Sequence, residues 1–215
     1  MSDISVICLA AGLGRRIGCP KALLTLPDGR TFLQAVVGAV QAVGSDDVVV
    51  VVGPWWRGDG PPRARFVVNN DPDRGQISSV RLGIEVIAPS RAVMLCLVDQ
   101  PLIRPATFAE VARVYRASPS RIVTASYKGR KGHPVVFPPQ MVQELLGPQA
   151  DQGARAVVYA HPELLSVVEC DDPHVVRDVD EPKDMELLRS SWTAESSKAM
   201  LADEAPRDAG RSGCP

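Results

Sequence analysis

The sequence predicts a doubly wound α/β sandwich built on a mostly parallel sheet. Two observations carry that prediction. Short β-branched runs alternate with helical patterns along the chain, the signature of strands connected through covering helices. The runs are apolar on both faces, as strands must be when helices pack above and below them. In such sheets ligands bind beyond the carboxyl ends of the strands, so chemistry is expected just after Leu9, Val68 and Val98.

Taken in order, the first run spans 4–9 and enters a loop of glycines and arginines. A helical pattern over 31–43 leads to 48–52, which is valine throughout. The run 65–68 is followed by a helical pattern over 77–87 and then by 93–98. Helix 106–117 precedes the runs 122–125 and 134–137, and helical patterns over 139–146 and 153–159 precede the last strand, 164–169. A short closing helix is expected over 181–189. After Ser190 the periodicity is lost and only Trp192, Met200 and Leu201 are large and apolar. One domain over 1–190 and a disordered tail over 191–215 are therefore expected.

The chain has 215 residues, 45% hydrophobic and 23% charged, which excludes a disordered or fibrous protein. A net charge of −1 gives no global attraction to nucleic acid or anionic membrane, so any phosphate site must be local. The five cysteines, Cys8, Cys19, Cys96, Cys170 and Cys214, are scattered without a C-x-x-C pair, which predicts reduced thiols and a cytoplasmic location. No leader is expected, and nothing approaches the ~20 apolar residues of a membrane span.

The loop after the first strand reads L-A-A-G-L-G-R-R-I-G-C-P-K from Leu9 to Lys21. It is not a dinucleotide fingerprint, because Ile17 stands where the third glycine belongs, and the spacing from Gly18 to Lys21 breaks a Walker A loop. What remains is a small-residue turn carrying Arg15, Arg16 and Lys21. Small residues let backbone N–H groups approach an anion, and the cations neutralise phosphate oxygens.

The run 93–98 leads straight into Asp99-Gln100-Pro101. An aspartate at the mouth of a buried strand is costly unless something positive meets it, and Mg²⁺ on a triphosphate is a natural partner. Capping of the next helix is the alternative, but Asp99 lies six residues before Pro105. A second acidic cluster, Asp178-Val179-Asp180 through Asp184, offers either Asp180 or Asp178 to complete a metal site. Asp184 suits the first turn of the closing helix.

The loop resembles the signature L-A-A/G-G-x-G/S-x-R-x-G-x-x-K of nucleotide-diphospho-sugar transferase-like enzymes, which implies that Arg16 and Lys21 are phosphate-binding cations. Arg15 falls on a variable position. Within that superfamily, the segment Asn70 to Gly83 resembles the N-x-x-x-x-G-x-x-x-S-L/V-x-x-G segment of molybdenum-cofactor nucleotidyltransferases. The segments G-R-K-G-H-P-V-V-F from Gly129 and D-Q-G-A-R from Asp151 resemble their molybdopterin cytidylyltransferase branch. The likeness spans about residues 3 to 189.

That resemblance implies a three-layer α/β/α Rossmann-like sandwich and transfer of CMP from CTP to molybdopterin, with Mg²⁺ as cofactor and pyrophosphate as product. It implies that Arg16, Lys21 and Asp99 are catalytic, with metal on Asp99 and Asp180 (or Asp178). Nucleotide contacts fall on Leu9, Ala10, Ala11, Gly12, Gly14, Asn70, Ser78 and Ser79 besides the catalytic three; the two serines are alternatively helix caps. Ala11 in place of glycine favours cytosine over guanine by ~1–3 kcal/mol at most. Acceptor binding falls on His133 and Arg155, near Lys128, Arg130 and Lys131, whereas His161 and His174 read as surface residues. Trp55 and Trp56 are read as packing or a lid. The partners implied are an NTP, a phosphorylated acceptor and a molybdoenzyme client, with neither nucleic acid nor membrane. The rival readings are a GTP-using guanylyltransferase, a sugar- or polyol-phosphate nucleotidyltransferase, a non-catalytic cofactor carrier and a nicotinamide-dependent oxidoreductase.

Overall fold

The computed structural model describes residues 3–58, 60–190 and 192, so the expected tail lies outside the described residues apart from Trp192. The sheet has seven strands: β1 (Ile4–Ala10), β2 (Val48–Val52), β3 (Ala64–Val68), β4 (Ala92–Leu97), β5 (Ile122–Tyr127), β6 (Arg130–Phe137) and β7 (Leu165–Glu169). Their order is β3-β2-β1-β4-β6-β5-β7. Every pairing is parallel except those of β6, which runs antiparallel to both β4 and β5. The expected sandwich is therefore the observed one.

The helices α1 (Phe32–Ala42) and α3 (Pro105–Ala117) cover one face; α2 (Gln76–Glu85), α4 (Pro139–Leu146) and α5 (Ala154–Ala160) cover the other. Because both faces are covered, β1 and β2 are buried along their whole length. Thr31 is the N-cap of α1 rather than its first residue: its hydroxyl accepts from Gln34 N and the Gln34 side chain accepts from Thr31 N. Residues 182–190 form the closing helix, and Asp184 reaches back to accept from Asp180 N at 2.9 Å and Glu181 N at 2.8 Å. Asp184 thus stands in the first turn of the closing helix, where it was expected.

Strand β6 begins at Arg130, four residues earlier than the apolar run suggested. Lys128 and Gly129 both take positive φ, 50° and 73°, and turn β5 tightly into β6. The β5–β6 register then slips between Thr124 and Ser126, so Gly132, His133 and Pro134 lie in an irregular stretch opposite regular β5. Gly132 is required there, because a Cβ would lie 1.7 Å from the Val175 carbonyl.

Candidate active site

The loop after β1 curls back on itself at Gly14. Gly14 has φ +59°, and its carbonyl accepts from Ile17 N at 3.0 Å and Gly18 N at 2.8 Å. A Cβ on Gly14 would sit 1.8 Å from the Cys19 carbonyl, so no other residue fits this turn undistorted. Gly12 is exposed with open space where its Cβ would be, leaving its backbone approachable. Leu9 and Ala10 belong to buried β1, and Ala11 is buried at the strand exit beside Gly53. Arg15 is tied to Asp73 at 2.7 Å, whereas exposed Arg16 makes no ion pair among the described residues.

Lys21 reaches from this loop across the top of the sheet. Its Nζ donates to Asp99 Oδ2 at 2.7 Å and to Asp180 Oδ1. Asp99 stands two residues beyond β4, and its carbonyl accepts from Val179 N at 2.9 Å, which sets Asp180 beside it. Burial works against the charge on Lys21, but Asp99 and Asp180 outweigh it and hold the ammonium pKa above its ordinary value. Burial pushes the Asp99 carboxyl upward; Lys21 pulls it back only in part, and Asp178 and Asp180 add to the rise. Asp99 Oδ1 is buried with no partner among the described residues.

The two late aspartates differ in their partners. Residues 177–180 are not a strand, so alternation does not govern them. Asp178 Oδ1 accepts from Gln100 Nε2 at 2.8 Å, away from Lys21, and Asp180 alone of the pair joins Asp99. Two carboxylates with one orphaned buried oxygen suit a hard divalent cation that takes its remaining ligands from phosphate and water.

Asn70 is exposed, whereas its neighbour Asn69 is buried. Asn69 Nδ2 donates to Ser78 Oγ and Ser79 Oγ, both at 2.9 Å, while its Oδ1 accepts from Asp71 N. The serines do not cap α2, whose N-cap is Gly75, although Ser78 Oγ donates to the Gly75 carbonyl at 2.7 Å. An Asn beside an Asn gives no local cue to which one turns inward.

His133 and Arg155 line one cleft of about 690 Å³ with Arg130, Lys131, Gln76 and Tyr159. The structure therefore brings both expected acceptor residues together. Burial lowers the pKa of His133, only partly offset by the Leu95 carbonyl and Asp178. Trp56 stacks on Phe66 at 4.8 Å and meets Trp55 edge-on at 5.9 Å, which is packing over β3.

One supporting residue had no cue in the sequence. Asp172 is fully buried and accepts from Arg104 N at 2.9 Å and Thr107 Oγ1 at 2.7 Å, pinning the segment after β7 to the N-terminus of α3. Among the described residues no helix is long and apolar enough to cross a membrane.

Comparison with known proteins places this geometry in a family context. The MobA-like NTP transferase domain matches residues 6–179. A curated relative, nicotine blue oxidoreductase of Paenarthrobacter nicotinovorans, is 31% identical over 202 residues, covering 86% of this chain and 96% of the relative. The crystal structure of Rv0371c from Mycobacterium tuberculosis H37Rv is 28% identical with a TM-score of 0.77, covering 87% of this chain and 97% of that one. A second structure of Rv0371c, in complex with manganese, is 27% identical with a TM-score of 0.72, covering 88% and 99%.

Proposed function

The chain belongs to the MobA-like NTP transferase family, and as a nucleotidyltransferase of that family we propose that it moves CMP from CTP to molybdopterin, releasing pyrophosphate. The observation that carries this reading is the Lys21 ammonium held between Asp99 and Asp180 directly above β4, with Arg16 exposed on the same loop. Cation and carboxylates together are what a metal-bound triphosphate requires.

Asp99 and Asp180 would hold the divalent cation, Mg²⁺ in this reading, and the existence of a manganese complex of Rv0371c supports the use of a divalent metal. When bound, such a cation neutralises charge developing on phosphate oxygens. The chain's own groups position and neutralise. Backbone N–H groups around Gly12 approach the phosphates, Arg16 and Lys21 donate to the leaving pyrophosphate, and the Asn69–Ser78–Ser79 cluster meets ribose or base. Arg130, Lys131 and Arg155 hold the acceptor phosphate, whose oxygen attacks the α-phosphorus in line as the bond to pyrophosphate breaks. Free thiols at Cys8, Cys19, Cys96 and Cys170 fit a cytoplasmic enzyme.

The test is pyrophosphate release by purified protein with Mg²⁺, molybdopterin and either CTP or GTP. Turnover with CTP exceeding that with GTP supports the reading; transfer to a sugar phosphate with none to molybdopterin reverses the acceptor. A second reading, nicotinamide-dependent reduction, is favoured by the name of the relative that is 31% identical. Ile17 in place of the third glycine argues against it, and NADH or NADPH binding to this protein decides it.

A further inference from the structure

Arg81 stands on α2 beside the apolar seam where Ile77, Val80 and Ile84 pack in one cluster with Met141, Val142 and Leu145 of α4. Its Nε donates to the Leu145 carbonyl at 3.2 Å, and its Nη2 donates to the Gly147 carbonyl at 2.8 Å and to Asp151 Oδ1 at 2.7 Å. The two carbonyls lie at the C-terminal end of α4, where no following helical turn supplies donors. A guanidinium presents its N–H groups as a planar fork, which suits several acceptors in fixed directions.

What this fork holds is the approach to α5. In the turn 147–151, Ala150 N donates to the Gly147 carbonyl at 3.2 Å and Asp151 N to the Pro148 carbonyl at 3.0 Å. Gly153, at φ +102°, then opens α5, and its N–H donates to the Ala150 carbonyl at 2.7 Å. Helix α5 has seven residues and Val157 is its one buried side chain, so packing alone fixes its direction weakly. No side chain caps it, and Asp151 is engaged by Arg81 instead. Arg155 and Tyr159 of this helix line the cleft, and Arg155 Nε donates to the Tyr159 hydroxyl. One turn before Arg81, the same helix α2 carries Ser78 and Ser79, both held by Asn69.

We infer that Arg81 is a positioning residue: its guanidinium clamps the turn before α5 onto α2. It thereby sets Arg155, on the acceptor side, at a fixed distance from the Asn69–Ser78–Ser79 cluster on the nucleotide side. In-line transfer needs both substrates at matched positions, and a misplacement of about 1 Å can slow it about 10²-fold. Lysine does not substitute, because one ammonium nitrogen cannot meet two carbonyls and a carboxylate in these directions. This role rests on the transferase reading for what Arg155 grips, and not for what holds Arg155.

The experiment compares the full chain with Arg81→Lys, by amide hydrogen exchange and by pyrophosphate release from CTP with molybdopterin. In Arg81→Lys the amides of 156–160 are expected to exchange about tenfold or more faster, with those of β4 unchanged. The kcat/KM for molybdopterin is expected to fall about tenfold or more, the scale of one lost charge-assisted contact, while the dissociation constant of CTP stays the same. Added to Arg155→Ala, Arg81→Lys is expected to cost less than about twofold more, because it acts through the side chain already removed. A cap that only stabilises α4 would multiply the two losses. Thermal melts check the fold, and Asp151→Ala, which removes only the carboxylate arm of the clamp, takes the place of Arg81→Lys if that variant does not fold. Unchanged exchange at 156–160, full activity with lysine, or independent losses in the double variant overturns the inference. Absence of turnover in the wild-type protein sinks the transferase reading alone, and exchange at 156–160 then decides whether Arg81 holds α5.

Discussion

Lys21 donates to Asp99 at 2.7 Å across the top of the sheet, joining the loop after β1 to the turn after β4. That ion pair brings together residues 78 positions apart in the chain and is the centre of the proposed triphosphate site.

Replacing Lys21 tests its role in charge stabilisation. Lys21→Ala is expected to lower kcat by ~10²–10³, the scale of one lost charge-stabilising donor. Steady-state pyrophosphate release checks it. Because Lys21 and Asp99 act as a unit, the double variant Lys21→Ala with Asp99→Ala is expected to lose far less than the product of the single losses.

Two glycines of the same loop should separate shape from ligand contact. Gly14→Ala forces a Cβ against the Cys19 carbonyl at positive φ, so it is expected to destabilise the fold by more than ~1 kcal/mol. Gly12→Ala meets open space in the free protein, so its melting temperature should not change. Its NTP affinity should fall, because the added methyl group blocks backbone approach. Denaturant unfolding and NTP titration report the two effects.

Asp172 should matter without touching substrate. Asp172→Ala removes a buried acceptor of the Arg104 N–H and the Thr107 hydroxyl and is expected to cost about 2–3 kcal/mol in urea unfolding. It should also loosen the segment carrying Asp178 and Asp180.

Acid sensitivity is expected at Asp47, which accepts from Ser5, Arg65 and Arg91. Burial works against its charge, but Ser5 and the two arginines outweigh it and hold the carboxyl below its ordinary value of 3.8. A lowered folded pKa means that the contribution is complete above the unfolded value and is lost as pH falls toward the folded one. The melting-temperature gap between the protein and Asp47→Asn should therefore be widest near neutrality and narrow below about pH 4.

The strands were legible because β1 and β2 are almost wholly apolar on both faces, and the tight turn after β1 because glycines cluster behind a buried strand. The β5–β6 hairpin was hidden, since its turn at Lys128 and Gly129 sits inside a basic run that shows no apolar alternation. Gln100, Asp172 and the choice of Asp180 over Asp178 were not readable for a different reason. Their partners lie 65 to 159 positions away, and only the packed sheet brings them together. Asn69 was missed because two adjacent asparagines follow β3 and burial alone distinguishes them.

The most direct test of the central claim is calorimetric titration of CTP into the wild-type protein and Asp99→Ala, each with and without Mg²⁺. Tight binding only with metal, lost on removal of the Asp99 carboxylate while the protein still melts cooperatively, is the predicted result. Equal CTP affinity in all four titrations would contradict a metal-bound triphosphate seated between Asp99, Asp180 and Lys21.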